Sequence, residues 1–133
     1  MNLEDFYRGR GEDYPVIIGR FMGNENLLKK FVKNFPDDPT YGRLCEAMEA
    51  KDWPQVEMSA HTLKGVAANL SFSKLFQASA DLVSVIREQE TEKADGLFSE
   101  VQKAYKEVVQ GNIRAGLNLG KEYGSRKADA FDR

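Results

Sequence analysis

The chain has 133 residues, enough for one domain whose core needs neither a disulfide nor a metal to fold. Its 19 basic and 21 acidic side chains leave a formal net charge of -2, which argues against nucleic acid or an anionic membrane as a partner. A single cysteine, Cys45, excludes an internal disulfide, and no apolar run approaches the roughly 20 residues of a membrane span. Cytoplasmic residence is the simple expectation.

Alternating β-branched runs are absent, so the default is an all-helical domain. Leu3, Phe6 and Tyr7 suit a short leading helix, broken by Gly9 and Gly11. The opening MNLEDFYRGRGEDYP has no apolar signal core. Asp13 offers an N-cap, Pro15 suits a first turn, and VIIGRFM carries that helix on toward Gly23. From Asn24, Leu27, Leu28, Phe31 and Phe35 recur at helical spacing until Pro36 to Pro39 end the pattern. A helix over about Thr40 to Ala50 turns Leu44, Ala47 and Met48 inward, with Cys45 a buried thiol beside them.

Asp52 caps the next helix, Pro54 lies in its first turn, and it runs to about Leu70. Ser71 or Ser73 can cap the following one, which carries Leu75, Phe76, Ala80, Leu82 and Ile86 and ends near Gln89. Thr91 is a cap for a last long helix with Leu97, Phe98, Val101, Tyr105, Val108 and Val109 in its stripe. Gly111, Gly116 and Gly120 then loosen the chain. The predicted organisation is an extension or short helix over 1–12, a helical bundle over 13–111, and a polar, frayed tail over 112–133. Four substantial helices with short connections predict an antiparallel four-helix bundle with additional short helices.

The stretch AHTLKGVAANL holds His61, the chain's one histidine. On a helix turning 100° per residue, Val56, Ala60, Leu63, Ala67 and Leu70 form a core stripe. His61 then points about 200° from Leu63, onto the solvent side with Glu57, Lys64, Gly65 and Ala68. A lone surface histidine is most often just a polar residue, and one histidine with one buried cysteine makes no metal ligand set. No nucleophile motif accompanies it. Gly65 shifts the balance. Glycine inside a helix costs about 1 kcal/mol relative to alanine, yet here it opens space one turn from the imidazole. Lys64 adds a mobile ammonium that could screen phosphoryl oxygens, although a lone lysine is ordinarily a solvated one.

HTLKG, followed by AANLSF and the helical LFQASADL, resembles the histidine-containing phosphotransfer (HPt) domain of two-component phosphorelays. FMGNENLLKKFVKNF and AMEAKDWPQVEMSAHTLKG resemble the family's approach to its active helix, and the likeness runs from about Gly19 to Val109. The resemblance implies a four-helix bundle with His61 as phosphoacceptor on Nε2, Lys64 as the cation beside the phosphoryl group, and Gly65 as the residue that leaves room. It implies that Asn69 holds the helix end. Two positions depart from the family pattern: Ser71 where glycine is usual, and Val83 where a Glu or Gln often holds the second ring nitrogen. Ser79, Ser84 and Gln77 are candidate substitutes, and Arg87 a candidate cation.

The implied activity is that of a shuttle carrying a phosphoryl group between aspartates of response-regulator receiver domains. Such a domain has no ATP-dependent kinase activity, and no phosphate loop is visible here. It has no cofactor of its own, and Mg²⁺ comes with the receiver. The implied partners are receiver domains and, further, a hybrid sensor kinase. They would meet an apolar patch of Gly65, Ala68 and Phe72, joined by Val16, Ile17 or Ile18. A stand-alone monomer is expected. The alternative is a non-catalytic helical adaptor that binds a receiver or kinase and modulates signalling. A pure binder, however, has no need of an imidazole with a glycine one turn away.

Overall fold

The computed structural model describes residues 2–116, and the tail expectation, Gly120 included, falls largely outside them. Seven helices follow in chain order: α1 (Leu3–Arg8), α2 (Tyr14–Arg20), α3 (Glu25–Asn34), α4 (Thr40–Ala50), α5 (Trp53–Asn69), α6 (Ser73–Arg87) and α7 (Ala94–Arg114). Among the described residues none is long and apolar enough to cross a membrane.

Several helices begin where a short polar side chain takes over a free N–H. Asp13 accepts from Val16 N, Asn24 from Leu27 N and Asp52 from Gln55 N, with Pro15 and Pro54 in the first turns of α2 and α5. Asn2 and Asp5 close a capping box on α1. Neither Ser71 nor Ser73 caps α6: the cap position is Phe72, without a side-chain bond, while Ser73 Oγ donates to Glu12. Thr91 likewise opens a 3-10 turn, Thr91–Lys93, ahead of α7.

The bundle is α4 to α7, with α5 packed on α4 and α6, and α6 on α7; the short connections make each antiparallel to the next. Tyr41 of α4 stacks on Tyr105 of α7 with ring centroids 3.6 Å apart, which closes the bundle across its first and last helices. The predicted inward residues of α4, Leu44, Ala47 and Met48, are buried, as is Cys45. The expected stripe of α5 is buried throughout, from Val56 to Leu70.

Three further expectations fail. Phe31 is 49% exposed, and Val32 takes the core position instead. The apolar residues of α3 outnumber the width of its buried face, so one aromatic is left outside, against Phe21 at 5.9 Å. Ile17 is buried rather than on a docking patch. Gly111 does not loosen the chain, since α7 continues to Arg114. A Cβ on Gly111 would come within 2.7 Å of the Phe6 ring and 2.8 Å of Arg10, so glycine is what lets α1 lie against α7. The Arg10 guanidinium in turn sits 4.6 Å from the Phe6 ring centroid and donates to the Glu107 carbonyl.

α1 is also fastened to the end of α5. The fully buried Tyr7 hydroxyl donates to the Leu70 carbonyl at 2.7 Å, satisfying a group that the helix end leaves free. Burial raises the Tyr7 pKa, so the hydroxyl stays a neutral donor.

Two substitutions test this assembly by chemical denaturation. Gly111→Ala should cost about 1–3 kcal/mol through overpacking, against the usual gain of replacing a helical glycine by alanine. Tyr7→Phe should cost about 1–3 kcal/mol, because the Leu70 carbonyl stays buried without its donor.

Candidate functional site

The stretch that raised the functional question lies in the middle of α5, the best-buttressed helix of the bundle. α4 packs on one side of it and α6 on the other, so its backbone is held while one face stays open to solvent. On that face lie His61, Gly65 and Ala68, all exposed, with Lys64 half-buried and Glu57 one turn earlier. The three site residues expected from the sequence therefore share one surface. Among the described residues the imidazole makes no hydrogen bond and Lys64 no ion pair, so both remain open to an incoming group. A Cβ at Gly65 would meet nothing within 4 Å, so tight packing is not the reason for glycine there. Among the described residues no group of three or more His, Cys, Asp or Glu side chains could hold a metal ion.

The end of α5 explains one departure from the family pattern. Phe72 N–H binds the Ala67 carbonyl at 2.9 Å and Ser71 N–H binds that of Ala68 at 3.2 Å, a Schellman turn. Its left-handed residue is Ser71, with φ 57°, the conformation that favours glycine. Serine bears that strain, about 1 kcal/mol, while Arg20 Nη1 donates to its Oγ at 2.8 Å and ties α2 to the corner. Asn69, expected to hold the helix end, is exposed; the Schellman turn and Tyr7 hold it instead.

Val83 is 3% exposed and faces the core, so α6 brings no polar side chain to the imidazole from that position. The candidate substitutes do not step in. Gln77 donates to Asp81 at 2.9 Å, and Ser84 faces Glu88 one turn on. Ser79 is fully buried, beneath the face rather than on it. Arg87 does reach the face: its Nε donates to Glu57 Oε2 at 3.1 Å, across from α6 to α5.

The apolar border also differs from expectation. Phe72 is 2% exposed and packs among Phe6, Tyr7 and Phe35, with the Phe35 ring centroid 5.0 Å away. One turn on, Phe76, expected in the apolar stripe of α6, is 37% exposed. Toward the C-terminal end of α5, bordering the open face at Ala68, a largely apolar groove of about 540 Å³ is lined by Phe21, Phe31, Val66, Ala68 and Leu70, with Arg20 among its polar residues. Val16 is exposed nearby in the chain, on α2.

A family model described as "Hpt domain" matches residues 26–111 of this chain. No curated protein and no solved structure matched it.

The two phenylalanines separate cleanly by experiment. Phe72→Ala should cost about 3–5 kcal/mol in a denaturation titration, the range for an emptied aromatic site. Phe76→Ala should cost only about 1–2 kcal/mol, because more than a third of the residue is already in water.

Proposed function

The chain belongs to the Hpt domain family and is a histidine phosphotransfer protein of a phosphorelay, and we propose that His61 is the side chain that carries the phosphoryl group. One observation carries this assignment: a protein of histidine phosphotransfer has here a single histidine, and that histidine projects into open solvent from a firmly held helix.

In this reading a receiver domain docks on the α5–α6 face with a phosphorylated aspartate over His61. The Nε2 lone pair attacks phosphorus in line. The N–P bond forms as the bond to the aspartate oxygen breaks, and the electron pair returns to the carboxylate. The proton on Nδ1 stays on the ring. Reversal onto a second receiver's aspartate completes the relay. Neutral imidazole is a competent nucleophile near physiological pH. Lys64 screens the phosphoryl oxygens. Gly65 leaves room for the receiver's backbone and for the tetrahedral group itself, and Ala68 and Phe76 supply apolar contact beside it.

The chain has no ATP-dependent kinase activity in this scheme. The surroundings of His61 do not suit a Mg²⁺ ion of its own, since Glu57 is bound to Arg87 and Lys64 stands close by. The metal that phosphoryl transfer uses belongs to the receiver. Receiver domains, and a hybrid sensor kinase that carries one, are the partners. The protein works as a cytoplasmic monomer, because the relay needs a face that is covered only briefly.

The deciding measurement incubates the protein with an aspartyl-phosphorylated receiver in Mg²⁺ buffer and follows the label on a phosphate-affinity gel. Wild type should gain an acid-labile, base-stable label and His61→Gln none. Lys64→Ala should slow transfer roughly 10-fold, as loss of one charge-assisted contact does. Gly65→Ala should stabilise the fold by up to about 1 kcal/mol while slowing transfer, which separates a functional glycine from a merely tolerated one. A labelled H61Q protein would sink the assignment. Receiver binding without any transfer to wild type would make the chain an adaptor.

A further inference from the structure

The pair between Glu57 and Arg87 has no role in the scheme above, yet it stands at the edge of the reacting group. Glu57 precedes His61 by four residues on the same helical stripe, where Cβ atoms lie about 5–6 Å apart. Long side chains on a helix lean toward its N-terminus, so the imidazole leans over the turn that carries Glu57. Arg87 comes from α6, one turn past the buried Val83, and closes on Glu57 at 3.1 Å. The guanidinium is thus parked beside the place a phosphoryl group would occupy, held there by a carboxylate.

Magnitudes decide whether it stays. The two side chains are 55% and 38% exposed, so the pair is solvated and contributes little. A phosphoryl group carries a charge of about −1.5 to −2 on three acceptor oxygens, against −1 on the carboxylate. Guanidinium, planar and with parallel N–H donors, fits such oxygens in a forked contact. No side chain at Val83 competes for the same space with a polar group of its own.

Resting on the assignment of His61 as phosphoacceptor, we propose that Glu57 and Arg87 form an exchange switch. Before transfer, Glu57 holds Arg87. Once His61 is phosphorylated, Arg87 leaves Glu57 for the phosphoryl oxygens. Arg87 is then a stabilising contact of the phosphorylated state, and Glu57 a competitor that limits how tightly this state is held. The balance between them sets how readily the chain gives its phosphoryl group back.

The test measures the equilibrium distribution of phosphoryl groups between a receiver and this chain, with thermal melts confirming that each variant is folded. Arg87→Ala should shift the equilibrium toward the receiver roughly two- to five-fold, with Arg87→Lys restoring part of it. Glu57→Gln should shift it the other way by a similar factor. In the Arg87→Ala background, Glu57→Gln should have almost no effect, because nothing is left to release. An unchanged equilibrium in Arg87→Ala overturns the switch. So does a Glu57→Gln shift of equal size with and without Arg87, which would make Glu57 a plain background charge. If wild type takes no label at all, the phosphoacceptor assignment fails and the switch with it. A labelled wild type with a flat variant series removes the switch alone.

Discussion

The turn at Leu70, Ser71 and Phe72 is the constraint on which the rest of the molecule depends. It closes α5 with two backbone bonds, sends the chain back as α6, and drives the Phe72 ring into the cluster of Phe6, Tyr7 and Phe35. The hydroxyl of Tyr7 and the guanidinium of Arg20 then bind the same corner from α1 and α2. The antiparallel register of α5 and α6 follows from it, and with that register the level at which Arg87 meets Glu57. A polar surface feature at the far end of the α5–α6 pair is thereby set by an apolar event at the corner that joins them.

Much of this was legible in the sequence, for stated physical reasons. Asp13 and Asp52 marked helix starts because a short acceptor side chain suits free N–H groups, and the structure uses both. The core stripe of α5 followed from its period, and so did the solvent side that holds His61, Lys64 and Gly65 together. What the period could not give was depth. Phe31 and Phe76 fit apolar stripes and Phe72 an outer patch, and which of them is covered depends on neighbours far away in the chain. Gly111 was misread for a related reason. Its meaning lies in the Phe6 ring more than a hundred residues earlier, and no local rule contains that ring. The ion pair of Glu57 with Arg87 was half-visible: Arg87 stood out as a cation, but its partner required the α5–α6 register.

The exposed face of α5 shows a division of labour between its two sides. The buried side is filled by Val56, Leu63 and other apolar residues that hold the helix still. The outer side is stripped down to Gly65 and Ala68, which hold nothing. Stability is concentrated where the helix meets its neighbours, and the face that meets a partner is left thin. Serine in the left-handed position of the corner is a similar concession, because its hydroxyl anchors Arg20 at the cost of local strain.

His61 is the ninth of the seventeen residues of α5, with every nearby amide already engaged in the helix. The positive end of a helix dipole, which serves so many phosphate sites, fades within the first turn and does not reach it. An anion at this spot has no backbone cradle and depends on side-chain cations alone. Such contacts are weak, screened by salt and easily remade. A carrier that held its cargo at a helix terminus would be a sink; one that holds it mid-helix is built for handing it on.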